Sequence, residues 1–86
     1  MKHAGPAALD ALEPLLKRLR ALGRLRETRP GVFYLRSRAF LHFHEDPTGL
    51  FADLRLPGEA DFERLAVGDE QDREILLARV SAAVSA

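Results

Sequence analysis

Residues 31–56, GVFYLRSRAFLHFHEDPTGLFADLRL, constrain the fold of this chain more than any other segment. They form the one long stretch rich in β-branched and aromatic residues, which favour strands. The DPTG sequence at 46–49 has the composition of a tight turn, because Asp opens it, Pro presets φ and Gly closes it. We therefore expect strands over 32–36, 39–45 and 50–56, and connections this short make neighbouring strands antiparallel.

Upstream of this segment, leucines recur at three- and four-residue spacing from Leu12 to Leu22, which predicts an amphipathic helix. Asp10 can cap its N-terminus. Pro14 then falls in the first turn, where its missing N–H is not needed. Gly23 can end the helix, although the apolar pattern also allows one more turn beyond it.

Downstream, residues 62–67 predict a short fourth strand at the edge of the sheet. Asp69 can cap a second helix, and the two acidic residues in its first turn suit the positive end of the helix dipole. Leu76 belongs to its buried side. The residues from Ser81 onward are expected to fray.

The length of 86 residues leaves room for one hydrophobic core. We expect a single domain over 1–86, in which 1–9 is a loose N-terminal segment or a partly helical one. The element order α-β-β-β-β-α predicts a two-layer α+β fold, an antiparallel meander sheet with two helices on one face. The alternative is one helix on each face of the sheet.

The register of the sheet follows from the DPTG turn, which pairs Glu45 with Leu50 and so places Leu41 opposite Leu54. The first hairpin is expected to place Tyr34 opposite Leu41. The core face then carries Val32, Tyr34, Leu41, Phe43, Leu50, Ala52, Leu54, Leu65 and Val67. The opposite, open face carries Phe33, Leu35, Phe40, His42, His44, Phe51, Asp53, Arg55, Phe62 and Arg64.

The open face is unusually apolar for the solvent side of an antiparallel sheet. Clustered exposed apolar surface marks an interaction site, so we expect a non-catalytic interaction module that self-associates as a homodimer, face to face or edge to edge. The candidate interface residues are Phe33, Phe40, His42, His44, Phe51, Asp53 and Arg55.

The histidines of the open face raise a second hypothesis, a metal or acid–base site at the His-x-His strand. His42 and His44 lie on the same side of one strand, and the register puts Asp53 across from His42. Two imidazoles and a carboxylate suffice for zinc or non-haem iron with open positions. The alternative is a His–Asp hydrogen bond in a partly buried interface. The chain has no cysteine, phosphate loop or nucleophile elbow, so we expect no cofactor and do not favour an enzyme.

Charge is divided unevenly along a chain whose net charge is zero. Residues 1–44 carry nine basic groups against three acidic ones, a net charge of +6, and residues 45–86 carry the opposite excess. Such asymmetry can mark a nucleic-acid-binding face, with phosphate contacts from the basic helix and the first hairpin. The polyanion-binding candidates are Arg18, Arg20, Arg24, Arg26, Arg36 and Arg38. The alternative is that the two halves neutralise each other in space.

Composition also bears on origin and compartment. Eleven arginines against two lysines, with no Asn and a single Gln, suit a protein made at high temperature or a GC-rich bacterial genome. No apolar run approaches the roughly 18 residues of a membrane span, and the N-terminus lacks the apolar core of a signal peptide. We therefore expect a cytoplasmic protein without a membrane partner.

Four pieces of the central segment resemble a family of small uncharacterised bacterial proteins: GVFY at 31–34, RSRAFLHFH at 36–44, the DPTG turn and LFADLRL at 50–56. The hairpin FYLRSRAFLHF is also similar to one in the YjbR/MmcQ-like small α/β proteins, which are thought of as DNA-binding domains. The first family has no assigned activity, so this resemblance implies no site residue.

Overall fold

The computed structural model describes residues 2–86, which form two α-helices and a six-stranded antiparallel sheet. The helices are α1 (Pro6–Arg20) and α2 (Glu70–Ser85). The strands are β1 (Lys2–His3), β2 (Arg26–Arg29), β3 (Val32–Leu35), β4 (Arg38–Asp46), β5 (Gly49–Leu54) and β6 (Glu63–Ala66).

The sheet is a meander in the order β2-β3-β4-β5-β6, and β1 pairs with the end of β4 that β3 leaves free. Both helices pack on one face of this sheet. The buried residues of α1, α2 and the strands belong to a single core cluster, which shows this arrangement. The predicted α+β class, antiparallel meander and one-sided helix layer are thereby confirmed. The strands β1 and β2 were not predicted from the sequence.

The first helix begins four residues before the expected start at Asp10. Pro6 occupies its first position, where a fixed φ favours the helix, and Gly5 is the N-cap. Residues 2–9, expected to be loose or partly helical, form β1 and the first turn of α1. Pro14 lies inside the helix on its exposed side, not in the first turn. The helix ends at Arg20, and Gly23 follows with a φ of +86°.

The second helix begins as predicted. The Asp69 carboxylate accepts a hydrogen bond of 2.8 Å from the backbone N–H of Asp72. The helix continues to Ser85, and Ala83 and Val84 are buried, so the expected fraying from Ser81 is not seen. Packing of this last turn on the core explains the difference.

The two hairpins differ in how well their register was predicted. The β4–β5 pairs Glu45–Leu50 and Leu41–Leu54 are confirmed. In the β3–β4 hairpin, Leu41 instead pairs with Phe33, and Tyr34 pairs with Ala39. A β-bulge separates these pairs, so Phe40 is an extra residue on β4.

The bulge changes which residues of the first hairpin reach the core. Phe33, Leu35 and Phe40 are 1%, 5% and 2% exposed and lie in the core cluster, so their predicted place on the open face was wrong. Val32 and Tyr34, predicted for the core, lie on the open face, where Val32 pairs with His42. The open face is therefore less apolar than the sequence suggested.

Candidate functional site

The open face centres on three directly paired residues of β4, β5 and β6. His42 pairs with Asp53, as predicted, and Asp53 pairs with Arg64. His44 lies two residues along β4 on the same side and pairs with Phe51. The period of two along each strand brings these side chains to one surface.

Two imidazoles and one carboxylate converge within this surface. His42 Nδ1 and His44 Nε2 are 2.7 Å apart, and His44 Nε2 is 3.2 Å from Asp53 Oδ2. The ligand atoms of the three residues all lie within 4.8 Å of one another. We call His42, His44 and Asp53 the His-His-Asp cluster.

Arg64 fixes the carboxylate of the cluster. Its Nε and Nη2 donate to the two oxygens of Asp53, each at 2.8 Å. The Arg64 guanidinium holds the pKa of the Asp53 carboxyl below its ordinary value, against the opposing effect of burial. Asp53 is therefore ionised at neutral pH, although it is 7% exposed.

The two histidines of the cluster are held differently. Burial, and next the neighbouring His44, lowers the pKa of His42 below its ordinary value of 6.5, and Asp53 only partly opposes this. His42 is therefore neutral at pH 7. The Nδ1 atom of His44 is buried and has no hydrogen-bond partner among residues 2–86.

Phe62 and Arg55 extend the cluster along one side. The His42 ring lies 4.8 Å from the ring of His44 and 4.7 Å from that of Phe62, both edge-on. The Arg55 guanidinium lies 4.6 Å from the centre of the Phe62 ring, a cation–π contact. These side chains shield the cluster from solvent although no helix covers this face.

The predicted interface set separates into two groups. His42, His44, Phe51, Asp53 and Arg55 share the open face, whereas Phe33 and Phe40 are core residues and cannot contact a partner. Homodimerisation through this face stays a prediction. Its apolar contribution is now limited to half-buried side chains such as those of Phe51 and Phe62.

The predicted polyanion-binding arginines are scattered, and acidic partners engage two of them. Arg18 forms an ion pair with Glu74, and Arg20 pairs with Glu13 and Glu27. Arg26 lies over the Tyr34 ring, and Arg36 donates to the Ala86 carbonyl. Arg24 and Arg38 are exposed. Nucleic-acid binding stays a prediction, and carboxylates already compensate part of the charge of the helix that it requires.

Three residues of the site were absent from the predicted site set. Arg64 and Phe62 were expected on the open face. The sequence did not indicate the register between β5 and β6, which places Arg64 opposite Asp53. His3 lies on the unpredicted strand β1 opposite His44, with 6.1 Å between the ring centres. A two-residue strand leaves no periodicity to detect.

Comparison with known proteins identifies no relative: no family model, curated protein or solved structure matches this chain. Neither helix in residues 2–86 combines the length and apolar character that crossing a membrane requires. The His-His-Asp cluster is therefore the feature of this chain that bears most directly on function.

Proposed function

We propose that this protein is a small metal-binding module whose His-His-Asp cluster holds a divalent transition-metal ion of the zinc type. The observation that carries the proposal is that two imidazole nitrogens and a carboxylate oxygen all lie within 4.8 Å of one another. Imidazole and carboxylate ligands suit zinc, and three protein ligands leave a fourth position open.

Hydrogen bonding satisfies this arrangement in one tautomer only, in which the N–H of His44 Nε2 is shared between His42 Nδ1 and Asp53 Oδ2. One hydrogen between His42 Nδ1 and His44 Nε2 can serve one donor and one acceptor across their 2.7 Å separation. If His42 is the donor, the lone pair of His44 Nε2 faces the Asp53 carboxylate at 3.2 Å, which is repulsive. A cation in place of that hydrogen accepts electron pairs from all three atoms.

Side-chain rotations can bring the three ligand atoms to the spacing of a zinc site. Tetrahedral Zn–N and Zn–O bonds of about 2.0–2.1 Å place neighbouring ligand atoms about 3.3 Å apart. The distance from His44 Nε2 to Asp53 Oδ2 is already 3.2 Å. The two imidazole nitrogens need to separate by about 0.6 Å. The widest separation in the cluster, up to 4.8 Å, needs to shorten by up to about 1.5 Å, and side-chain rotations supply both shifts.

Protonation and charge also favour a cation. His42 is neutral and Asp53 is ionised at pH 7, which are the states that bind metal. Arg64 orients the carboxylate through one lone pair on each oxygen and leaves a further lone pair on Oδ2. The positive charge of Arg64 lowers the affinity of the cluster for any cation. We therefore expect the preference for zinc over other cations to come from the two imidazoles.

The test is calorimetric titration of Zn²⁺ into protein that was made without a histidine tag and stripped of metal. We expect one ion per chain, and His42→Gln is expected to weaken binding by at least about tenfold. His3→Gln is the matched control, because His3 lies outside the cluster. Equal zinc binding by the parent and His42→Gln would exclude the cluster as the site, provided that circular dichroism shows both to be folded.

A further inference from the structure

A cleft of about 180 Å³ lies where the turn between β3 and β4 meets the segment that follows β5. No residue of the His-His-Asp cluster lines it. Its walls combine three arginines, Arg36, Arg38 and Arg55, with the apolar side chains of Leu35, Phe40 and Leu56. We call this opening the arginine cleft.

Within the part of the chain that the structure describes, no side-chain carboxylate lines the arginine cleft to compensate its positive charge. Arg36 donates to the Ala86 carbonyl at 2.7 Å, and Arg55 donates to the Ala39 carbonyl at 2.8 and 3.1 Å. Because the Ala39 carbonyl is neutral, its bonds orient the Arg55 guanidinium without cancelling its charge. Arg38 is exposed and has no ion pair within residues 2–86.

An apolar groove continues from this cleft. It has a volume of about 400 Å³ and shares Leu56 and Pro57 with the arginine cleft. Its far side is formed by Ala82, Ala83 and Ala86 at the end of α2. Its one charged residue, Arg79, donates to both carboxylate oxygens of Glu63 at 2.8 and 2.7 Å.

We propose that the arginine cleft and the adjoining groove together bind a monocarboxylate with an unbranched apolar tail. The planar guanidinium groups match the geometry of a carboxylate, and the charge of Arg38 and Arg55, which no carboxylate side chain of residues 2–86 pairs with, favours an anion at this end. The tail lies across Leu56 and Pro57 toward the alanines of α2. A largely apolar cavity with a few convergent polar groups is the usual form of a small-molecule site.

The proposal is independent of metal binding and is tested with sodium octanoate and 1-octanol as probes, by calorimetry and by amide chemical-shift mapping. Octanoate is expected to bind and to shift the amides of Leu56 and Ala83. Octanol, which has the same tail without the carboxylate, is expected to bind at least about tenfold more weakly, because it forms no charge-assisted hydrogen bonds.

Two pairs of variants separate the two ends of the site. Arg38→Gln is expected to raise the Kd for octanoate about tenfold, whereas Arg24→Gln, an exposed arginine away from the cleft, leaves it unchanged. Ala82→Glu places a carboxylate in the groove and is expected to abolish binding. Ala78→Glu, also exposed on α2 but outside the groove, is its control. Equal binding of octanol and octanoate, or unchanged octanoate binding by either Arg38→Gln or Ala82→Glu, would overturn the proposal.

Discussion

The guanidinium of Arg64 donates to both carboxylate oxygens of Asp53 across the β5–β6 pair, with each bond 2.8 Å long. Asp53 is the one buried charged residue within residues 2–86. Its second partner is His44, the diagonal neighbour on β4, whose Nε2 lies 3.2 Å from Oδ2. A buried carboxylate held from two strands ties the edge strand β6 to the centre of the sheet.

This relationship predicts a measurable cost for neutralising Asp53. Asp53→Asn keeps the shape of the side chain but loses its charge, and it can no longer accept two charge-assisted bonds from Arg64. We expect the free energy of unfolding in urea to fall by about 1–3 kcal/mol. Asp61→Asn, in the exposed loop before β6, is the control and should change it by less than about 0.5 kcal/mol. Equal effects at the two positions would contradict the role of the Asp53–Arg64 pair.

The lowered pKa of His42 predicts that acid weakens the fold before the carboxylates titrate. The unfolded chain, with an ordinary His pKa of 6.5, binds the proton more readily than the folded one. Stability from His42 is therefore complete above about pH 6.5 and is lost as the pH falls below it, until the folded imidazole is also protonated. The pKa of Asp53 is lowered from 3.8, so its contribution is lost only in more acidic solution.

The measurement is the thermal midpoint of metal-free protein between about pH 7.5 and pH 5.5. We expect it to fall with pH in the parent and to fall less steeply in His42→Gln. His3→Gln is compared as a second single-histidine variant. An identical pH slope in the parent and His42→Gln would show that His42 does not couple protonation to folding.

Zinc is expected to stabilise the folded chain if the cluster binds it, since the ligands come from two strands and meet only in the native state. At a free zinc concentration about a hundredfold above Kd, the gain is about 2.7 kcal/mol. The thermal midpoint should rise for the parent at neutral pH and rise clearly less for His42→Gln, whose gain at the same zinc concentration is at most about 1.4 kcal/mol. The rise should shrink below about pH 6.5, because protons compete for the imidazoles. A zinc-induced rise that is equal in both proteins would place the metal elsewhere.

Local chemistry explains which parts of the fold could be predicted from sequence. The DPTG turn has one strongly preferred arrangement, so it fixed the β4–β5 register and with it the His42–Asp53 pair. The start of α2 could be predicted because the side chain of Asp69 accepts a hydrogen bond from a backbone N–H in the first helical turn. The start of α1 was wrong because Pro6 after Gly5 is a helix start of another kind, and the prediction gave more weight to Asp10.

The Asp69 cap can be tested by a short variant series. Asp69→Ala leaves the N–H of Asp72 without its 2.8 Å acceptor and is expected to lower the free energy of unfolding by about 1 kcal/mol. Asp69→Asn retains an acceptor and should lose much less. Gln71→Ala, exposed in the same turn, is the control. A full loss in Asp69→Asn would attribute the effect to charge at the helix dipole instead of the cap bond.

The first hairpin could not be predicted because two irregular features combine there. Its turn residues, Arg36 and Ser37, have φ values of +53° and +67°, a conformation that Asn and Gly usually signal. The bulge at Phe40 then breaks the alternation on which face assignment depends. As a result, Phe40 and Leu41 are consecutive residues that are both buried in the core. The interface hypothesis used strict alternation and thus counted three core residues as exposed.

Phe40 and Phe51 provide a matched test of this correction, because strict alternation assigns both to the open face. In the structure Phe40 is 2% exposed within the core cluster, whereas Phe51 is half-buried on the open face. Phe40→Ala is therefore expected to lower the free energy of unfolding by about 3–5 kcal/mol through the cavity that it leaves. Phe51→Ala should cost less than about 2 kcal/mol, since much of its ring remains in contact with water. The measurement is urea unfolding of the two variants and the parent. Comparable losses in the free energy of unfolding would place Phe40 on the open face and contradict the bulge.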